Sequence, residues 1–223
     1  MSRLSRITVA DTPHHVTQRG NRRQPLFTQV GDYALYRDLP AERCAHNGVA
    51  CRACCLMPNH VHLILTPTRP DGLSRAVGEA HRRYTGFVNA RARTTGHLFQ
   101  GRFASGAMDE AHLMNGLHHL AFNPVRAQLA ERPQDWAWSS VGAHLAGRDD
   151  ALVSVAHVLG MVPRFADLLD MSLAEKDALQ GFETKSVNGR TVGTPEFIAM
   201  VEGKLGRSLQ RGKPGRKVKG DGK

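Results

Sequence analysis

The pattern of apolar and polar positions predicts three β-strands in the first third of the chain. Residues 14–18 (HHVTQ) are typical of a short strand, and a basic turn at residues 19–23 (RGNRR) follows it. Residues 49–57 and 60–66 are two longer apolar runs separated only by a Pro-Asn pair. We interpret these two runs as the strands of a hairpin.

Apolar positions spaced three or four residues apart predict three helices. The first is capped by Asp32 and should end or kink at Pro40, because proline lacks a backbone donor. The second begins at Asp71, and the third begins at Asp109 and should end before Pro124.

A polar cluster at residues 147–150 (GRDD) divides the chain. We place a first domain at residues 1–148, a helical C-terminal segment at 149–205 and a basic tail at 206–223. The tail has seven Lys or Arg residues against one acidic residue and almost no apolar content. A segment of this composition is expected to be disordered when it is alone.

The net charge of the chain indicates the class of molecule that it binds. The 223 residues include 30 Lys and Arg against 20 Asp and Glu, which leaves a formal net charge of +10. Such a balance indicates a polyanionic partner. No apolar run approaches the roughly 18 residues of a membrane span, and the N-terminus has no apolar segment of a signal peptide. We therefore expect a cytoplasmic protein that binds nucleic acid and no membrane.

Four cysteines lie within twelve residues, three of them in the first strand of the predicted hairpin: Cys44, Cys51, Cys54 and Cys55. Cys51 and Cys54 form a C-x-x-C pair, but no second Cys or His pair follows at the spacing of a zinc finger. We interpret these cysteines as small buried apolar residues, with a zinc site as the alternative. Without a disulfide framework, a reducing compartment is expected.

His60 and His62 are the sharpest candidates for chemistry. Residues two apart on a strand project from the same face, so both imidazoles can reach one point while Val61 faces the core. Two converging imidazoles can hold a divalent metal and leave positions open for substrate. The alternative is a pair of solvent-facing histidines on an amphipathic strand.

A polar stripe on the third predicted helix could complete such a site. Its members recur at spacings of three or four residues, away from the leucine face: His112, Asn115, His119 and Asn123. His119 and Asn123 are one helical turn apart and could approach one point. The alternative is a solvated helix face.

The chain resembles the single-tyrosine HUH transposases, and among them the REP-associated tyrosine transposase branch with its IS200-like transposase domain. Five sequence blocks carry the resemblance in order over roughly residues 5 to 147: 15–23 (HVTQRGNRR), 57–65 (MPNHVHLIL), 96–103 (GHLFQGRF), 123–127 (NPVRA) and 136–140 (WAWSS). Ordered blocks are far more specific than a bare H-x-H.

The resemblance implies an α+β fold, a ferredoxin-like antiparallel sheet with helices on one face, here followed by the helical segment and the basic tail. In that family the two histidines, here His60 and His62, bind Mg²⁺ or Mn²⁺, and Asn123 occupies the position of a third ligand. The metal polarises a phosphate of single-stranded or hairpin DNA, and a tyrosine attacks it to form a covalent intermediate for cleavage and joining. The expected unit is a monomer or homodimer.

His119 occupies the position at which the family has its nucleophilic tyrosine, four residues before Asn123. Three hypotheses follow from this departure. The chain is a catalytically inactive DNA-hairpin-binding or regulatory protein; Tyr84, which lies on the apolar stripe of its helix, replaces the missing nucleophile; or His119 itself attacks the phosphate as an imidazole.

Seven residues in and around these blocks are candidate DNA contacts, because cations meet phosphates and Phe99 and Phe103 lie close by for stacking. They are Arg19, Asn21, Arg22, Arg23, Arg82, Arg83 and Arg102. The basic tail is expected to add affinity without sequence preference.

Overall fold

A four-stranded antiparallel sheet forms the centre of the protein, which we describe from a computed structural model over residues 7–170, 191–206 and 208–209. The order of its strands is β2-β3-β1-β4, with ranges β1 (His14–Arg19), β2 (Val49–Met57), β3 (His60–Pro67) and β4 (Ala104–Ala107). This is the strand order of a ferredoxin-like fold, so the predicted α+β class and hairpin are confirmed. The predicted basic tail lies almost entirely outside the described residues.

Helices cover both faces of the sheet. Helices α1 (Val30–His46) and α2 (Gly72–Ala92) pack against each other and against the face that carries Val61. Helix α3 (Glu110–Arg126) packs its leucines against Ile64 on the opposite face. The expected helical layer on one face of the sheet is therefore formed by α1 and α2, and α3 adds a helix on the opposite face. Helix α3 covers the side of β3 from which His60 and His62 project.

The helix end predicted before Pro124 is wrong, and Pro40 does not end its helix either. Helix α1 runs through Pro40 to His46, and α3 runs through Pro124 to Arg126. Both prolines are buried, in helices whose apolar residues pack into the core. Burial of those residues offsets the roughly 3 kcal/mol that a proline costs inside a helix.

Asp32 is the third residue of α1 and not its cap. Gln29 holds the N-cap position, and the Asp32 carboxylate accepts hydrogen bonds from the backbone N–H groups of Thr28 (2.8 Å) and Gln29 (3.0 Å). Arg91, at the end of α2, also donates to this carboxylate. The carboxylate therefore joins the start of one helix to the end of the other.

The described residues after α3 pack against the core of the sheet. They form the helices α4 (Val141–Ala146), α5 (Ala156–Met161), α6 (Phe165–Leu169) and α7 (Pro195–Leu205). Val153 and Val155 belong to the hydrophobic cluster of Cys51 and Cys54. The polar cluster that we predict as a boundary is a hydrogen-bonded turn, in which Asp150 accepts from the backbone of Val153 (2.7 Å). The hydrophobic packing therefore continues across residue 148.

Both outer strands are hydrogen-bonded along their edges by other parts of the chain. Ser140 N–H donates to the carbonyl of Cys54 (2.9 Å), and Ser154 N–H donates to the carbonyl of Cys51 (2.9 Å). On the other side, Val192 N–H donates to the carbonyl of Ala107 (2.8 Å). These bonds satisfy edge groups that a bare sheet would expose.

The four cysteines are buried free thiols. Burial raises the pKa of Cys44 and of Cys54 to about 12, so neither is a thiolate at neutral pH. Their surroundings are those of apolar core residues. No described helix has the length and apolar character needed to span a membrane.

Candidate metal and nucleic-acid site

Four histidines meet between the sheet and α3. His60 and His62 project from β3 with ring centroids 4.9 Å apart. His15 comes from the neighbouring strand β1, where Thr17 is paired with His62, and its ring centroid lies 5.2 Å from that of His62. His119 on α3 closes the group, 5.5 Å from His62. We call these four residues the histidine cluster.

Burial keeps the whole histidine cluster neutral. Desolvation lowers the pKa of His15 and of His119 to about 3 and that of His60 to about 4, with a smaller contribution from Arg19 beside His60. Desolvation also holds the pKa of His62 well below its usual range, and the neighbouring histidines lower it further. Neutral imidazoles retain the lone pair that a metal ligand needs.

A hydrogen bond orients His60. Its Nδ1 lies 2.7 Å from Oδ1 of Asn59, the residue before it. An amide oxygen only accepts, so Nδ1 of His60 carries the proton and Nε2 carries the lone pair. The Pro-Asn turn of the hairpin thus sets the tautomer of the first candidate ligand.

His119 is held in the opposite tautomer. Nη1 of Arg126 lies 2.9 Å from Nδ1 of His119. A guanidinium only donates, so Nδ1 of His119 accepts this hydrogen bond and Nε2 carries the proton. The side chain of His119 is 3% exposed. The Nδ1 lone pair of His119 is therefore used by Arg126, and its protonated Nε2 has no lone pair with which to attack a substrate.

A divalent cation would draw on His60, His62 and Asn123. In the described part of the chain, no group of three or more His, Cys, Asp or Glu side chains is placed to hold a metal. The amide of Asn123, one turn after His119, has a buried Nδ2 without a hydrogen-bond partner among the described residues. Neutral imidazole nitrogens and an amide oxygen are donor atoms that suit a cation such as Mn²⁺, so the residue types at these three positions fit it.

All three tyrosines lie in the apolar layer formed by α1 and α2. Tyr84 is fully buried, and its hydroxyl donates to the carbonyl of Leu26 (2.7 Å). Tyr36 pairs with His81, and Tyr33 stacks on Trp138. These residues belong to or pack against the cluster of Val61, on the sheet face opposite the histidine cluster. Tyr84 is thus a core residue, which contradicts its assignment as a substitute nucleophile.

The basic turn is joined to the histidine hairpin by backbone hydrogen bonds. Gly20 N–H donates to the carbonyl of Asn59 (2.9 Å), and Arg19 is paired with His60 across the two strands. A Cβ at Gly20 would lie 2.2 Å from the carbonyl oxygen of Gln24, so only glycine fits there. The remaining predicted contacts of the turn follow directly in the chain: Asn21, Arg22 and Arg23. The structure therefore joins the turn that carries four of the seven predicted DNA contacts to the hairpin of His60.

The other predicted DNA contacts lie elsewhere. Arg82 and Arg102 line a cavity of about 390 Å³ between α2 and residues 97–103, together with Phe99. Arg82 is also paired with Glu79 on its own helix (2.6 Å). Arg83 pairs with Glu42 across α1 and α2 (2.7 Å), away from this cavity.

The sequence does not predict His15 and Arg126 as functional residues, although both lie in the sequence blocks that carry the family resemblance. His15 joins the cluster through the register of β1 on β3, and Arg126 reaches His119 because the two are seven residues apart on α3. The spacing of seven, two helical turns, is a signal that the sequence carries. The register of two strands is not visible in the sequence alone.

Comparisons with known proteins support the fold. Residues 8–116 match the profile of the family "Transposase IS200 like", a stretch that contains the sheet and both hairpin histidines and ends before His119. A structure of the REP-associated tyrosine transposase bound to a REP hairpin is similar in fold, with a TM-score of 0.57 and 21% identity over 70% of this chain and 94% of that one.

A crystal structure of a candidate transposase from Deinococcus radiodurans R1 is a more distant match, with a TM-score of 0.37 and 21% identity over 57% of this chain and 92% of the other. No curated protein matches the sequence. The profile match and the histidine hairpin that it includes identify residues 8–116 as a region similar to the IS200-like transposase family.

Proposed function

We propose that this protein binds hairpin-forming single-stranded DNA at the histidine cluster and forms no covalent bond to it. The observation that carries the proposal is the hydrogen bond from Arg126 to Nδ1 of His119. It occupies one ring nitrogen and leaves the proton on the other. Attack on phosphorus needs a nitrogen lone pair or a hydroxyl oxygen, and His119 offers neither.

The other candidates for the nucleophile support the same conclusion. The chain has three tyrosines, and the hydroxyls of Tyr36 and Tyr84 are paired within the apolar layer beyond the sheet. Movement of either residue to the histidine cluster would require the core of α1 and α2 to open. A binding or regulatory role therefore fits the site better than strand cleavage and joining.

Several features support DNA as the ligand. The net charge of +10 favours a polyanion, and the exposed Arg22 and Arg23 lie in the turn that is hydrogen-bonded to Asn59, the residue before His60. The transposase of similar fold is bound to a REP hairpin. His60, His62 and Asn123 would hold Mg²⁺ or Mn²⁺ there, and the cation would supply charge neutralisation for a DNA phosphate. The arginines of the turn would contact the flanking phosphates.

Hairpin binding and the absence of a covalent adduct can be measured in one experiment. Fluorescence anisotropy should give a lower Kd for a labelled DNA hairpin with a single-stranded 5′ extension than for a duplex of equal length. After incubation with Mn²⁺, a denaturing gel should show no protein–DNA adduct. An adduct that resists denaturation would overturn the proposal, and its hydrolysis in acid but not in alkali would identify a phosphoramidate on His119.

The basic turn gives a prediction with a matched control. Arg22 and Arg23 have φ values of 52° and 63°, so we choose asparagine, which tolerates the left-handed region and removes the charge. The double variant R22N/R23N is expected to bind the hairpin more weakly. The slope of log K against log salt should fall by about 1.4 to 1.8, because each phosphate contact contributes roughly 0.7 to 0.9.

The control for this prediction is Arg83→Gln. Arg83 is also an exposed arginine, but its guanidinium pairs with Glu42 on the outside of α1 and α2. Its removal should leave both the affinity and the salt slope unchanged. An equal loss of slope in the two variants would mean that DNA contacts the protein through its general charge and not through the turn.

A further inference from the structure

His15 and His62 form an unusually direct pair. Nε2 of His15 lies 3.0 Å from Nδ1 of His62, and the two ring planes are parallel within 5°. Both side chains are buried, His15 completely. His15 projects from β1, a central strand that is paired on both sides, so its backbone position is fixed by two neighbouring strands.

A hydrogen bond between two neutral imidazoles contains one proton, which leaves two arrangements. In the first, Nδ1 of His62 donates to His15 and Nε2 of His62 carries a lone pair. In the second, Nε2 of His15 donates to His62, and the proton of His62 is then on its Nε2. Only the first arrangement leaves His62 able to bind a cation through Nε2.

We propose that His15 is a positioning residue that accepts the Nδ1 proton of His62 and thereby holds its Nε2 lone pair ready for a divalent cation. The neighbouring residue supports this assignment, because Asn59 accepts the Nδ1 proton of His60 in the same way. Both histidines of the hairpin then have an acceptor at Nδ1 and a lone pair at Nε2. Acceptors of this kind orient the imidazole ligands of metal sites in proteins. The inference rests on the proposed function only where that function places a cation at His60 and His62.

The matched variants are His15→Phe and His14→Phe. Phenylalanine keeps a flat ring at residue 15 but removes the acceptor for His62. His14 is equally buried on the same strand but faces the other way, where it bonds to the carbonyl of Thr12 (2.7 Å) and to the N–H of Val9 (3.1 Å). Both substitutions remove a buried histidine with its hydrogen bonds, and only one of them alters the partner of His62.

Binding of Mn²⁺ alone, followed by the electron paramagnetic resonance signal of the free ion, separates the two variants. We expect His15→Phe to weaken binding by about 10- to 100-fold, the usual effect of losing such an acceptor. His14→Phe should lower the melting temperature and leave the affinity for Mn²⁺ unchanged. His15→Gln, whose amide oxygen can accept the same proton, should recover part of the affinity. Equal affinities in wild type and His15→Phe would overturn the inference.

A second measurement needs neither metal nor DNA. Long-range ¹H–¹⁵N spectra of the histidine rings in the metal-free protein identify the tautomer of each ring. We expect a protonated Nδ1 and an unprotonated Nε2 for His62, and a proton on Nε2 of His62 would reject the role of His15. This result decides the inference even if the wild-type protein fails to bind Mn²⁺ or a hairpin, which would count only against the proposed function.

Discussion

Replacing His119 by tyrosine is expected to turn a protein that forms no covalent bond with DNA into one that does. The substitution introduces a hydroxyl in the middle of α3, at the position that faces His62. The guanidinium of Arg126, 2.9 Å from Nδ1 of His119, would stabilise the negative charge that develops on a phenolic oxygen. Incubation of the variant with a labelled hairpin and Mn²⁺ should give a band on a denaturing gel that the wild type lacks.

His119→Phe is the control for this change, since it differs from tyrosine by the hydroxyl alone. It should bind the hairpin and give no adduct. Adding His60→Ala to the tyrosine variant should abolish the adduct again if the hairpin histidines take part. If His119→Tyr folds and binds the hairpin but forms no adduct, the site has lost more than its nucleophile.

Removing the carboxylate of Asp32 is expected to destabilise the protein by about 3 kcal/mol, the lower end of the range for breaking a buried ion pair. Asp32 is 2% exposed and accepts hydrogen bonds from Thr28, Gln29 and Arg91. Asp32→Ala leaves these donors without an acceptor and separates the start of α1 from the end of α2. Urea denaturation gives the difference in the free energy of unfolding.

Asp71→Ala serves as the control for Asp32. Asp71 also stands at the start of a helix, but its side chain is 39% exposed and its partners are the exposed Arg69 and Arg75. Exposed pairs of this kind contribute about 0 to 1 kcal/mol. A comparable loss of stability in the two variants would refute a special role for the buried carboxylate.

The contribution of Asp32 to the free energy of unfolding should also depend on pH. The hydrogen bond from Arg91 is the main reason that the pKa of Asp32 lies well below its usual range. A carboxylate with a lowered pKa stabilises the fold fully above its unfolded pKa of about 4, and this contribution is lost as the pH falls below that value. The difference in unfolding free energy between wild type and Asp32→Ala should therefore be constant from pH 7 to 5 and shrink toward pH 3.

The sequence predicts those parts of the site that depend on local geometry. His60 and His62 share a face because the period of a strand is two, and that period is visible in any stretch of sequence. The hairpin follows from its apolar runs and from the Pro-Asn pair between them. The same local reasoning fails at Pro40 and Pro124, where packing against the sheet outweighs the preference of proline to end a helix.

Contacts between distant segments account for the rest of the site. The position of His15 beside His62 depends on which strand lies next to β3 and in what register. The two residues are 47 apart in the chain, so no local sequence pattern predicts this contact. The place of α3 on the second face of the sheet is likewise a tertiary property. That placement buries His119 and decides that it packs against two other imidazoles.

The hydrogen bonds along the outer strands also bear on how copies of the protein can associate. The carbonyls of Cys51 and Cys54 on one side and of Ala107 on the other are already bonded to the chain's own backbone. A second molecule therefore cannot extend the sheet by adding a strand at these points. At these points a contact between two copies would have to use side chains and not backbone pairing, so surface substitutions there could alter association without disturbing the histidine hairpin.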